Sequence, residues 1–459
     1  ANGAAGGFYG YQIENSLRFD DGSSSRLAPT SNFGTPTNTD IATISVWVKR
    51  GNLSGVNQEI VGGYDGSSGT SSSIYFDTSN RLHVAFGGGS GALTTNAVFR
   101  DTSSWYHIHV LFDSTQSTST DRCKIYVNGQ QITSFSSSSY PDENQDNHMF
   151  SSGANHRIGS NFNNSGNFFD GYMAEFNGID GTALDPTNFG ETKSGVWIPK
   201  DTSGLTFGNN GFRLEFGDSA AIGDDTSGNG NDFTANNLSA HDVVPDSPTL
   251  NYATLSSVWQ RAASVTLSEG NLKAVCTGNH SRGSVSTLSM TSGKWYAEFD
   301  VGASGQNRQA IGVTNMDTMT GDSALSGGTD HVIAYGGVLD DVYVDAVDAG
   351  NIIYRNGDIV GIAVNIDDDE VTFYKNGSSL ITVSKTFTAG GNYGFFVAQA
   401  GNSATGTFTC NLNFGQDSTF AGATTAGGNS DENGYGNFKY SVPSGFLALN
   451  SANLPEPSI

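Results

Sequence analysis

Charge is scarce in this chain, and positive charge is scarcest. Of 459 residues only 14% are charged, and 21 Lys and Arg stand against 45 Asp and Glu, for a net charge of −24. Typical globular domains carry about 25% charged residues. Nucleic-acid affinity comes mainly from cationic contacts to phosphate, so this balance argues against a nucleic-acid partner and against docking on an anionic membrane. No apolar run approaches the roughly 20 residues that cross a bilayer, and no membrane insertion is expected. Ala1 to Phe8 hold neither a basic nor an apolar stretch, so no secretory signal is expected there. The Ala-, Glu-, Lys- and Leu-rich composition of a coiled coil is missing as well. The three cysteines, Cys123, Cys276 and Cys410, lie far apart without a C-x-x-C, which gives neither a zinc site nor a disulfide framework. Buried reduced thiols are expected, with a Cys276–Cys410 bond across neighbouring strands as the alternative.

What the chain has instead is short runs of β-branched and aromatic residues, separated by Gly, Ser, Asn and Asp clusters. That spacing predicts an all-β sandwich or barrel. Ile44 to Lys49, Ser73 to Phe76 and Leu82 to Phe86 alternate. In Trp105 to Asp113 period two places Tyr106, Ile108, Val110 and Phe112 on one face, and His107, His109, Leu111 and Asp113 on the other. Lys124 to Val127 and Gln130 to Ile132 flank Asn128-Gly129, the strongest short-range hairpin signal, since a type I′ turn needs φ > 0 at both central residues. Tyr172 to Asn177 reads as a further strand. The second half repeats this grammar. Trp295, Ala297, Phe299 and Val301 share one face, Ile311 to Val313 is a short buried strand, Asp358 to Ile366 is another, and Asn376-Gly377 turns a second hairpin. Each half therefore holds a Trp-Tyr-initiated strand and a later Tyr-x-Asn-Gly hairpin.

These readings divide the chain into two antiparallel β-sandwiches. Residues 1–201 form the first and 258–420 the second. Residues 202–257, with the acidic turn-rich stretch Asp224 to Asp232 and then Pro245 and Pro248, read as an extended connector laid on a domain surface. Residues 421–459 read as a flexible Gly/Ser/Thr/Asn loop and a docking segment in which Pro443 to Asn450 regain apolar side chains, directed to the protein itself or to a neighbour.

Ile44 to Lys49, Trp105 to Ile108, Ile125 to Gly129 and Asp170 to Phe176 resemble the laminin-G-like, concanavalin-A-like jelly-roll family. Gly293 to Phe299, Ile311 to Val313, Gly357 to Gly361 and Val371 to Gly377 resemble the SPRY (B30.2-like) sandwich. Their order, with the phrases Ile179 to Pro186, Asp225 to Phe233 and Pro443 to Leu449, is similar to virion proteins of tailed phages, marine ones especially. The resemblance implies a structural or adhesive virion component, with other virion proteins as partners, homo-oligomeric association, and a host surface glycan or protein as ligand. The missing coiled coil and collagen-like stretches favour a compact knob or decoration over a long fibre.

Little in the sequence points to catalysis. A jelly roll that cleaves glycans sets an acid and a nucleophile about 5–5.5 Å apart, and a strand would carry them as Glu-x-Asp-x-Glu. No such run exists; Glu175 and Glu298 are lone strand carboxylates, and no catalytic residue is assigned. His107 and His109 share a face with Asp113, a conceivable metal clamp, though filling a sheet face is the plainer reading. Calcium is the one candidate cofactor, with Asp225, Asn229, Asn231 and Asp232 as oxygen ligands; the same residues also suit Asx-turns. Gly87 to Gly91 precedes no helix that could hold an anion. The loop aromatics Tyr64, Tyr140, Phe168 and Tyr435 are candidates for stacking on a sugar or packing on a partner.

Overall fold

A period-two pattern buries every second residue, and the first sandwich is assembled from that rule. In the computed structural model, Ile108, Val110 and Phe112 of strand Trp105–Asp113 meet Ile44, Val46 and Val48 of Ile41–Arg50 and, from the other sheet, Ile74, Phe76, Leu82 and Val84 in one apolar interior. The structure describes residues 8–53, 55–64, 71–87, 91–153, 155–163, 166–260, 265–277, 282–304, 308–318, 330–337, 339–400 and 407–455. Of the stretch 87–91, residues 88–90 lie outside them. The chain divides into two units, one ending at Leu250 and the other beginning at Asn251.

The first sheet of the first unit runs Gln130–Gln131, Cys123–Val127, Trp105–Asp113, Ile41–Arg50, Gly171–Asp180, Ser16–Phe19, Val243–Val244, with Phe212–Leu214 also on Gly171–Asp180. The second runs Phe135–Ser139, Gly91–Val98, Arg81–Phe86, Ser71–Phe76, Gln58–Tyr64, Asn155–Ile158, Arg26–Pro29, Phe233–Asn236. All strand pairings in both sheets are antiparallel.

The segment expected as a connector belongs to this unit. Phe212–Leu214, Phe233–Asn236 and Val243–Val244 each extend a sheet, and Phe212, Leu214, Phe216, Ile222 and Phe233 enter the core. The reason is physical: strands of two to four residues between turn-rich stretches leave no periodicity to read, yet each brings apolar side chains that gain by burial. Residues 251–257 go the other way, with Tyr252, Ala253 and Leu255 buried in the second unit.

In the second unit one sheet runs Leu255–Gln260, Arg282–Ser286, Tyr393–Ala400, Arg308–Asn315, His331–Gly336, Asp341–Val344, Val347–Asn351, and the other Val265–Ser268, Lys273–Thr277, Thr407–Asn413, Lys294–Ser304, Ile359–Asn365, Glu370–Lys375, Ser378–Ser384. Trp295, Ala297, Phe299 and Val301 are core, as alternation requires. The terminal segment is folded onto this unit. Leu447–Ala448 pairs in parallel with Trp295 and Tyr296, and Phe438, Ala448 and Leu449 are fully buried. Asp417 and Asp431 organise its turns by accepting backbone N–H groups, among them those of Thr419, Ala421, Asn433 and Tyr435. The apolar end thus docks on its own unit. The three cysteines are free and buried. Cys276 lies opposite Phe408 and Cys410 opposite Ala274, so the two thiols are out of register and the alternative bond does not form.

Both Asn-Gly turns adopt the expected geometry, with φ of +49° and +73° at Asn128 and Gly129 and +49° and +81° at Asn376 and Gly377. Each Asn side chain also accepts a backbone N–H from the neighbouring strand, His107 at 2.8 Å and Ile359 at 2.9 Å.

Candidate functional site

The sequence-predicted candidates do not assemble into one site. Tyr64 stacks on Phe162 at 4.9 Å, and Tyr140 meets Phe135 edge-on at 6.4 Å. Phe168 and Tyr435 are half-buried. Among the described residues no ring contact joins any two of them.

The calcium candidates are a hydrogen-bonded turn. Asp225 Oδ1 accepts the N–H groups of Arg213 and Ser227 at 2.9 Å each, and Oδ2 accepts Asn231 N–H at 2.8 Å and the Ser227 hydroxyl at 2.9 Å. Asp232 Oδ1 accepts Asp225 N–H at 3.0 Å. Asn229 and Asn231 direct their amides to backbone carbonyls of Gly208, Asn209 and Gly211. These hydrogen bonds make the stretch a structural Asx-turn.

The imagined histidine clamp is also used otherwise. Trp197 Nε1–H donates to His107 Nδ1 at 3.0 Å. An indole N–H can only donate, so the His107 proton sits on Nε2 and is given to Ser45 Oγ at 2.8 Å. Burial holds His107 well below the ordinary imidazole range and pushes His109 down to about 3. Asp113 turns away, accepting from Thr115 and Gln116 in an exposed loop.

A set of oxygen donors that the sequence reading missed lies elsewhere. Asp20, Asp21 and Asp170 each bring one carboxylate oxygen within 4.8 Å of the others. Pairing of Phe19 with Gly171 sets them side by side although they lie far apart in the sequence. Asn52 ties them, its N–H on Asp170 Oδ1 at 2.9 Å and its amide on Asp21 Oδ2 at 3.3 Å. Burial pushes the Asp21 carboxyl up. An all-oxygen set of this kind fits a hard cation such as Ca²⁺.

The outer face of the second sheet carries a row of polar side chains. Its inward side chains, Ile74, Phe76, Leu82, Val84 and Leu93, are in the core, so alternation turns Tyr75 and His83 outward. Cross-strand register lines up Glu59, Tyr75, His83 and Thr94 in one row over four strands. The Tyr75 and His83 rings stack at 4.5 Å and 27°, and His83 Nδ1 bonds Thr94 Oγ1 at 2.8 Å. Glu59 is 2% exposed, and burial pushes its carboxyl well above the usual range. Burial, then the Glu59 and Asp77 charges, push the Tyr75 hydroxyl up to about 12, and burial lowers the His83 imidazole. Each shift favours the uncharged form; Tyr75 and His83 are the half-buried members of the row that reach the surface, while Glu59 and Thr94 are buried beside them. Asp77 and Arg81 neutralise each other at the edge, 2.7 Å apart, and Arg81 also donates to Ser136 at 3.1 Å. Asp77 further accepts the N–H groups of Ser79 and Arg81.

Residues 20–187 match the model of the concanavalin A-like lectin/glucanases superfamily, and residues 294–411 match that of the SPRY domain. Among solved structures, the SPRY domain of human HERC1 is similar at 12% identity and a TM-score of 0.28, covering 34% of this chain and 96% of that one. A Bacteroides ovatus protein assigned to carbohydrate binding is similar at 17% identity and a TM-score of 0.35, covering 49% of this chain and 59% of that one. The heptameric SAP-like pentraxin of Limulus polyphemus is similar at 16% identity and a TM-score of 0.28, covering 38% and 79%. No curated protein matches the chain. The chain carries a concanavalin A-like lectin/glucanase-superfamily domain followed by a SPRY domain.

Proposed function

We propose that this is a non-enzymatic virion protein of a tailed phage, displayed on the particle as a fibre- or knob-type adhesin that binds a host surface glycan or protein. The two domain types fit a binding role. The single observation that carries the recognition half is the stacked, half-buried pair Tyr75 and His83 on the outer face of the sheet, with His83 held by buried Thr94. Hydroxyl-rich ligands are read by such groups, which exchange hydrogen bonds without the desolvation cost of a buried charge. The virion half, with homo-oligomeric assembly among other virion proteins, rests on the order of the sequence motifs. A decoration role that uses the apolar end to hold neighbours is less well supported, because Ala448 and Leu449 are buried in their own unit.

Purified protein on a glycan array and on host cells tests the reading, alongside a Tyr75→Ala/His83→Ala variant. Saturable binding that falls about tenfold or more in the variant is expected, a loss of about 1.4 kcal/mol. Unchanged binding in the variant moves the site elsewhere. Particles that adsorb normally without this protein, or oligosaccharide release by the purified chain, overturn the adhesin.

A further inference from the structure

One ion pair of the first unit lies where an ion pair is hardest to keep. Lys49 of Ile41–Arg50 places Nζ 2.8 Å from Asp246 Oδ2, and both side chains are wholly excluded from solvent. The partners stand 197 positions apart in the chain. Alternation explains the meeting. Val46 and Val48 enter the core, so Trp47 and Lys49 turn to the outer face of their sheet. There register sets Lys49 opposite Trp105 on one neighbouring strand and opposite Tyr172 on the other. Lys49 Nζ lies 5.7 Å from the Tyr172 ring centre, and both rings pack with Ile13, Trp47, Ala174 and Val244. Asp246 reaches this face from the turn after Val243–Val244. Ser16 fastens the turn by donating its hydroxyl to the Asp246 carbonyl, and Ile13 N–H donates to Thr249 Oγ1 at 3.1 Å.

Burial changes what this pair can do. Two charges withdrawn from water are costly even when they attract each other. Burial lowers the Lys49 pKa, against the attraction of Asp246 and, more weakly, of Asp101. That favours passing a proton along the 2.8 Å contact from Nζ to Oδ2, which leaves a free amine against a carboxylic acid. An amine desolvated among apolar side chains is a nucleophile. The other carboxyl oxygen, Oδ1, accepts the Trp105 indole N–H at 3.4 Å. This donor faces the oxygen on which negative charge collects if Nζ adds to Cγ. Strand pairing and the fastened turn hold both groups together before any reaction, which removes the entropic cost of bringing them to each other.

We propose that Lys49 and Asp246 condense into an isopeptide bond, joining the central strand of the sheet to the last turn of the unit. The step balances without a co-reactant. Nζ bonds to Asp246 Cγ, the Cγ–Oδ2 bond breaks, and the second proton that the nitrogen gives up leaves with Oδ2 as water. Oδ1 remains as the amide carbonyl, still facing the indole. The product is uncharged, so the desolvation cost that a buried ion pair keeps is removed with the charges. The cross-link also closes a long loop and so restricts the unfolded chain. A pull that separates residues 49 and 246 then meets a covalent bond instead of rows of hydrogen bonds. The inference stands apart from glycan recognition, since it uses the other sheet of the unit.

Intact-mass spectrometry of the full chain in denaturant tests the bond. The mass is expected to fall short of the sequence mass by one water. A tryptic digest should then hold a branched peptide joining Lys49 to Asp246, with no cleavage after Lys49. The variant K49R keeps the positive charge but has no amine to condense, so its mass should be the full sequence value. If K49R does not fold, the native digest decides alone. The full sequence mass in folded native protein overturns the bond and leaves an ion pair. A mass short by one water without the branched peptide, or a deficit that K49R retains, marks a cyclic imide at an aspartate and overturns it as well.

Discussion

Glu298 shows how one side chain can decide where a whole segment goes. It is fully buried, and four donors surround it: Tyr440 N–H and the Tyr296 hydroxyl on Oε1, Lys439 N–H and the Asn413 amide on Oε2. Burial pushes its carboxyl up to about 7, against these donors, which favour the charged form. The folded value lies above the unfolded one, so the stability it contributes is fully present below about pH 4.5 and is lost as pH rises to about 7. Glu298→Gln, neutral throughout, removes that slope. Relative to the variant, the native chain should lose about 3 kcal/mol between pH 4.5 and 7, read from urea unfolding of the second unit. Parallel pH profiles for the two proteins would count against a titrating Glu298. The buried imidazoles act in the opposite direction. His107, His109 and His156 have folded values below the unfolded one, so their contribution is present above about pH 6.5 and falls away in acid.

At the scale of the element, the two Asn-Gly hairpins repeat one local solution. In each, the glycine is required twice over. It takes a positive φ, and its missing Cβ makes room for a ring: a Cβ on Gly129 would stand 2.4 Å from Trp197, and one on Gly377 2.8 Å from Tyr440. Gly129→Ala should therefore cost roughly 1–3 kcal/mol from overpacking and break the Trp197 donation to His107, visible as a red-shifted, more exposed tryptophan emission. An unaltered emission and midpoint would show that the ring yields freely. These hairpins were legible in the sequence because turn chemistry and alternation are local. So were the long strands such as Trp105–Asp113 and Lys294–Ser304, whose faces alternate as read. Phe212–Leu214 and Phe233–Asn236 were not, since three or four residues between turns carry no period. The Asp20, Asp21 and Asp170 trio and the row from Glu59 to Thr94 were hidden for another reason: both exist only through strand register, which a one-dimensional pattern does not specify. The resemblance to known families gave the domain types, but not which face carries the polar row.

For the molecule as a whole, the two units draw on sequence that composition assigns to a linker. A chain of residues 8–201 would lack Arg213, the partner of buried Glu175, and the core residues Phe212, Leu214, Phe216 and Phe233. It should fail to melt cooperatively, whereas residues 8–250 should. In the same way a chain beginning at residue 258 would lose Tyr252, Ala253 and Leu255, all fully buried, and should melt well below one beginning at 251. Circular dichroism melts of the four chains check both statements, and equal melting of the short and long forms would refute the assignment.

The parallel contact of Leu447–Ala448 with Trp295 and Tyr296 also bears on biogenesis. During translation the earlier strand leaves the ribosome roughly 150 residues ahead of the pair that covers its flank. Thr407–Asn413 closes the same flank from Glu298 onward before the tail emerges, so what waits for the last residues is a two-residue notch, too short an edge to template pairing with a sister polypeptide.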